Sequence, residues 1–71
     1  MTINEFKEKN LQKGDGLLLK YKNGTCLQGN YRGEFDLSEM TFSFYNTTTE
    51  EIQTIKIPEL EGFDWTKPAS S

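Results

Sequence analysis

The sequence predicts a mainly β protein, with a short N-terminal helix followed by a strongly bent antiparallel barrel of about five strands. Three observations predict it. Apolar residues keep a helical spacing only up to about residue 12, and from Gly16 onward they alternate with a period of two. Asn23-Gly24 lies between two such alternating runs. The second run, Thr25 to Phe35, carries Gly29 at its centre. Alternation marks strands with one buried face. Asn-Gly between alternating runs is a hairpin signal. A glycine within a strand lets the chain bend sharply or another backbone approach, as small barrels require to close.

The helix is expected over residues 2–12. Thr2 and Glu5 have capping-box spacing, in which each side chain satisfies a free backbone N–H at the helix start. Ile3, Phe6 and Leu11 fall near one stripe, and Gly14 is the expected stop. So short a helix is not stable alone in water, so its stripe must dock on the strands.

The first strands are fixed by register. Leu17, Leu19 and Tyr21 share one face, as do Leu27, Gly29, Tyr31, Gly33 and Phe35. A two-residue Asn-Gly loop would turn Leu27 to the face of Lys20 and Lys22. A three-residue loop, Lys22-Asn23-Gly24, pairs Leu19 with Leu27 and gathers the apolar set on one side. A one-residue slip would expose that whole set, so the three-residue loop is expected, with Gly24 left-handed. Gly29 then lies opposite Leu17. A third run, Met40 to Tyr45, places Met40, Phe42 and Phe44 inward and Tyr45 outward. A fourth, Ile52 to Ile57, carries Ile55 and Ile57 on one face, with Ile52 out of phase, and Pro58 ends it. Leu60, Phe63 and Trp65 follow in a short helical turn and a last strand. The aromatics on the alternation, Trp65 included, are expected in the core. One domain is expected over residues 1–66, with a disordered tail at 67–71.

With 71 residues the core is small. Cys26 is the sole cysteine and there is no histidine, so an internal disulfide is excluded and a structural metal site is not expected. Self-association is the remaining way to add buried surface. The charge is uneven. Residues 1–33 carry six Lys/Arg and three Asp/Glu, whereas residues 34–71 carry two Lys and eight Asp/Glu. A basic and an acidic patch on one molecule suit head-to-tail assembly or an electrostatic partner. No apolar run approaches a membrane span and no signal-peptide pattern is present, so a cytoplasmic location without membrane contact is expected.

No catalytic group stands out. General acid–base work at neutral pH most often uses histidine. The pairs Glu50-Glu51 and Glu59-Glu61 lie in polar segments, and nothing there points to the burial that raises a carboxyl pKa. Cys26 is expected outside the core, without a base to activate it. Glu34, Asp36 and Glu39 read as an acidic loop and lack the spacing of a calcium-binding loop. No glycine run has phosphate-binding spacing, so no cofactor is expected.

Leu19, Tyr21, Asn23, Gly24, Gly29, Tyr31, Gly33, Phe35 and Asp36 resemble the first motif of Sm-like proteins, with a weaker continuation through Met40, Phe42, Phe44 and Asn46. The resemblance implies an Sm-like or SH3-like small barrel and, in that family, RNA binding. Glu34 adds a residue to the motif, and Thr41 sits nearest the family's RNA-contacting Asn. Ile55-Lys56-Ile57-Pro58 stands where the second motif has its Arg-Gly. Of the family's contact residues only Asp36 carries across.

The expected function is therefore a non-catalytic protein-interaction or self-assembling module. A small phage- or mobile-element-type inhibitor of a host enzyme is of this kind, because it needs a surface rather than an active site. The alternative is an Sm-like RNA or single-stranded DNA binder, which is possible but not favoured. The candidate partner contacts are Lys20, Lys22, Arg32, Tyr45 and Asp36. Asn23, Gly24 and Gly29 are the candidate turn and bend residues.

Overall fold

In the computed structural model the described residues are 1–67. Helix α1 (Ile3–Glu8) leads into β1 (Gly16–Tyr21), β2 (Cys26–Asp36), β3 (Thr41–Asn46) and β4 (Glu51–Lys56). A 3-10 turn at Ile57–Glu59 then connects to β5 (Leu60–Lys67). All pairings are antiparallel, and the sheet runs β4-β3-β2-β1-β5. The mainly β fold with one short N-terminal helix is therefore as expected. Among the described residues, no helix is long and apolar enough to cross a membrane.

The capping box at α1 forms, with the Glu5 N–H donating to Thr2 Oγ1 at 3.1 Å and the Thr2 N–H to Glu5 Oε1 at 3.4 Å. The helix is shorter than expected. It ends at Glu8 because Asn10 turns left-handed, at φ 52°, and the Gln12 N–H donates to Asp15 Oδ2 at 2.9 Å instead of continuing the helical ladder. Its one buried residue, Phe6, docks on the sheet. The Phe6 ring stacks on Phe42 at 5.1 Å and on Phe35 at 5.4 Å. The N-terminal amino group donates to the Leu60 carbonyl, which ties the start of the chain to β5.

The β1–β2 hairpin has the expected three-residue loop. The Tyr21 N–H donates to the Thr25 carbonyl at 2.8 Å, Leu19 faces Leu27, and Leu17 faces Gly29. Gly24 has φ +93°. The Asn23 side chain completes the turn by accepting the Thr25 N–H at 2.9 Å.

Strand β2 connects the two halves of the sheet. Cys26 to Asn30 pair with β1, and Gly29 to Asp36 pair with β3. Along the second half the register shifts twice, between Tyr31 and Gly33 and between Gly33 and Asp36. Each shift leaves one extra residue on β2, and such bulges bend a strand and increase its twist. Gly33 (φ +85°) and Glu34 (φ 54°) absorb the backbone change. Glu34 thus sits in a bulge.

One core gathers Phe6, Leu17, Leu19, Tyr31, Phe42, Phe44, Ile55, Ile57, Leu60 and Phe63. Three expectations need correction. Met40 is not on the inner face of β3; it lies in the β2–β3 turn at φ 57°, is 41% exposed, and its carbonyl accepts the Ile57 N–H. Trp65 is not a core residue. It stands across from Leu17 on the edge strand β5 and is 43% exposed. Lys67 does not belong to the tail, because it closes β5 opposite Gly16. Residues 68–71, the rest of the expected tail, lie outside the described residues.

Candidate interaction surface

Tyr31 and Phe44 face each other across β2 and β3, and both are buried. Their neighbours Asn30 and Tyr45, also directly opposed, must therefore face outward, since successive side chains in a strand alternate. Ile52 lies opposite Tyr45 on β4. Asn30, Tyr45 and Ile52 thus form one outward row across three strands, and Ile52 is 61% exposed.

The loop before β1 closes one side of this row. The Gly14 N–H donates to the Tyr31 carbonyl at 2.7 Å, and the Tyr31 N–H to the Asp15 carbonyl at 2.8 Å. These bonds fix Lys13 beside the strand. The result is a shallow groove of about 330 Å³ lined by Lys13, Gly14, Asn30, Tyr31, Arg32 and Tyr45. The Tyr31 ring itself points into the core, against Phe6 and Phe42, and burial pushes its phenol above its ordinary pKa. No carboxylate lines the groove. Among the described residues the ion pair of the protein is Lys20–Asp64, so Lys13 and Arg32 have no ionic partner.

The five candidate contacts do not form one patch. Arg32 and Tyr45 come together in the groove. Lys20 is engaged elsewhere, with its ammonium 2.7 Å from Asp64 of β5. That hydrogen bond, reinforced by the Asp64 charge, raises the Lys20 pKa. Lys22 lies in the hairpin loop, in a separate hollow with Tyr21, Asn23, Pro58 and Glu59. Gly16, at the other end of β1, is the residue that pairs with Asn30, so Lys22 sits about 20 Å along the strand direction from the groove. Asp36 starts the β2–β3 turn. Its Oδ1 accepts from Ser38 Oγ at 2.7 Å and from the Glu39 N–H at 3.1 Å. These bonds lower its pKa, the Ser38 hydroxyl having the largest effect. Asn23 and Gly24 shape the hairpin loop, Gly29 lies against the Tyr45 backbone, and none of the three lines the groove.

Lys13, Asn30 and Ile52 were not among the sequence-predicted contacts. Ile52 carried a signal, because it is the one apolar residue of its run out of phase with Ile55. Asn30 had only its place between two inward residues, and Lys13 in a loop had none. A second unpredicted feature is the pair Asp15 and Trp65. Asp15 is 5% exposed, and its Oδ2 accepts the indole N–H of Trp65 at 3.2 Å as well as the Gln12 N–H. Cys26 is free and exposed, as expected. Among the described residues there is no group of three or more potential metal ligands.

Comparison of the chain with protein-family models, with curated proteins and with solved structures finds no match.

Proposed function

We propose that this chain is a non-catalytic protein-interaction module, a small β scaffold that acts through its surface. The observation that carries this reading is the groove in which Tyr45 and Asn30 lie between the unpaired cations Lys13 and Arg32, with exposed Ile52 alongside. Tyrosine and arginine are enriched where protein interfaces concentrate their binding energy. An exposed isoleucine beside them extends the contact with apolar area. The edge strands β4 and β5 offer a further mode, since an edge presents unpaired backbone groups to another strand. The strand order supports an Sm-like or SH3-like barrel as the scaffold. A small inhibitor of a host enzyme, encoded by a phage or mobile element and working in the cytoplasm, fits such a design.

Native mass spectrometry of complexes recovered from cell lysate tests the proposal, using the wild type, Tyr45→Ala and Arg32→Glu. The expected result is a protein partner, or a second copy, held by the wild type and lost from both variants. Identical recovery by all three forms would overturn it.

A second reading has one specific observation in its favour. An aromatic ring flanked by cations is also how single-stranded RNA or DNA is held, with a base on the ring and phosphates on the cations. Tyr45 with Arg32 and Lys13 has that composition.

A further inference from the structure

The groove has a chemical complement on the same molecule. The β2–β3 turn and its flank, residues 34–40, read Glu34-Phe35-Asp36-Leu37-Ser38-Glu39-Met40, with three carboxylates and no cation. Leu37 is 57% exposed and Met40 is 41% exposed. The Asp36 carboxylate binds Ser38 and Glu39, so the turn is held in one shape with Leu37 and Glu39 presented to solvent. The groove has the opposite character, with two cations, no carboxylate, and the Tyr45 ring beside Ile52 to receive an apolar side chain. Neither Glu34 nor Glu39 has an ionic partner among the described residues.

Within one chain the turn leaves the cations of the groove unpaired. Arg32 and Asp36 belong to the same paired strand, the turn that follows is hydrogen-bonded in place, and no ion pair joins the turn to Arg32 or Lys13 among the described residues. The two surfaces meet only between molecules. We infer that the occupant of the groove is the acidic, apolar-tipped β2–β3 turn of a second copy of this chain, with Leu37 against Tyr45 and Ile52 and the carboxylates of Glu34 and Glu39 facing Arg32 and Lys13. This rests on the reading of the outward face as an interaction surface and names its partner. The contact also explains how a protein of net charge −3 associates with itself, because the attraction is local while the net repulsion is spread over the molecule. A contact of one turn in one groove is small beside the roughly 800 Å² per partner of a standard interface. Association is accordingly expected in the micromolar range or weaker, and it should weaken with salt.

The experiment is sedimentation velocity on the full chain from low to high micromolar concentration, with two kinds of variant. Arg32→Glu disables the groove, and Lys13→Glu, at an exposed loop position, serves if the first does not fold. Leu37→Ser with Glu39→Arg disables the turn. The wild type is expected to associate as concentration rises. Each variant alone is expected to associate at least tenfold more weakly. An equimolar mixture of groove and turn variants is expected to recover association, because the intact turn of one meets the intact groove of the other. A wild type that stays monomeric at high micromolar concentration, association indifferent to both variants, or a mixture that stays monomeric would each overturn the inference. Loss of the self-contact leaves the broader reading to be judged on its own result, namely whether a different protein is retained through Tyr45 and Arg32.

Discussion

Gly29 and Tyr45 pack backbone against backbone. A Cβ at position 29 would collide with the Tyr45 carbonyl and stand 2.8 Å from Cζ of Phe44. Gly29 pairs with Leu17 on one side and Asn46 on the other, so it is the point at which β2 passes from β1 to β3. The absent side chain is what lets the third strand lie so close. Gly29→Ala is therefore expected to destabilise the fold by about 2–3 kcal/mol, the upper range for overpacking a rigid site. Urea unfolding measures this, and a loss below about 0.5 kcal/mol would be incompatible with the close approach.

Gly24 has a different reason to be glycine. Nothing lies within 4 Å of the position its Cβ would take, but its φ is +93°. The cost of a side chain there is backbone strain alone. Gly24→Val should lose at least about 1 kcal/mol, and Gly24→Asn less, because asparagine tolerates left-handed backbone better than a β-branched residue. Equal stability of the two variants in denaturant would contradict this account of the turn.

Phe6 holds the helix to the sheet. A six-residue helix does not persist alone, and Phe6, 4% exposed, is its one buried residue. Phe6→Ala removes the ring that stacks on both Phe35 and Phe42. A loss of about 3–5 kcal/mol is expected. That is a large share of the few kcal/mol available to a domain of this size. Amide exchange over residues 3–8 should rise together with the fall in thermal stability. Unchanged protection there would show that the helix is held by something else.

Asp36 gives a pH signature of definite sign. Hydrogen bonds from Ser38 and Glu39 to the carboxylate lower its pKa in the folded state. Stability from these bonds is present above the unfolded value of about 4 and is lost as pH falls through the folded value. The wild type should exceed Asp36→Asn in urea midpoint at neutral pH, and the two should converge on acidification below about pH 4. Curves that stay parallel across that range would remove the carboxylate from the account of the turn.

How much of this was legible depends on what fixes each feature. The β1–β2 register could be worked out because a slip would expose Leu17, Leu19 and Leu27 together, and the observed partners are the expected ones. Glycine in mid-strand announced a close approach, which Tyr45 makes at residue 29. The inward place of Met40 was a false inference from alternation, which fails across a turn where that residue takes φ 57°. Trp65 does keep the phase of Phe63, but phase says which way a side chain points and not whether anything covers it. The groove was half legible. Arg32 and Tyr45 follow from outward phase, whereas Lys13 reaches them only because Gly14 and Asp15 hydrogen-bond to Tyr31, a contact between loop and strand that leaves no periodic trace. Lys20 and Lys22 share the outward phase of Arg32 but lie toward the other end of β1, and one is taken up by Asp64.

The nucleic-acid reading is the one most open to direct elimination. A protein that neutralises several phosphates must bring several cations to one surface, and its affinity then falls steeply with salt. The groove brings two, Lys13 and Arg32. Lys20 is neutralised by Asp64, and Lys22 sits beside Glu59 in another hollow. Lys7 lies on α1 between Glu5 and Glu8 in sequence. The acidic β2–β3 turn, with Glu34, Asp36 and Glu39, follows Arg32 directly on the same strand and would repel a phosphate chain leaving the groove. Tyr45 offers one stacking surface, and stacking contributes about 1–3 kcal/mol per base. One ring and two cations do not hold a strand tightly. Binding to oligo-U, oligo-A or single-stranded DNA is therefore expected to be no tighter than about 10⁻⁵ M at physiological salt, within the non-specific range. Fluorescence anisotropy with labelled oligomers measures it. A submicromolar dissociation constant, weakened by Arg32→Glu and by Tyr45→Ala and steeply dependent on salt, would replace the protein-interaction reading with an RNA or single-stranded DNA one, because the same groove would then be binding bases and phosphates.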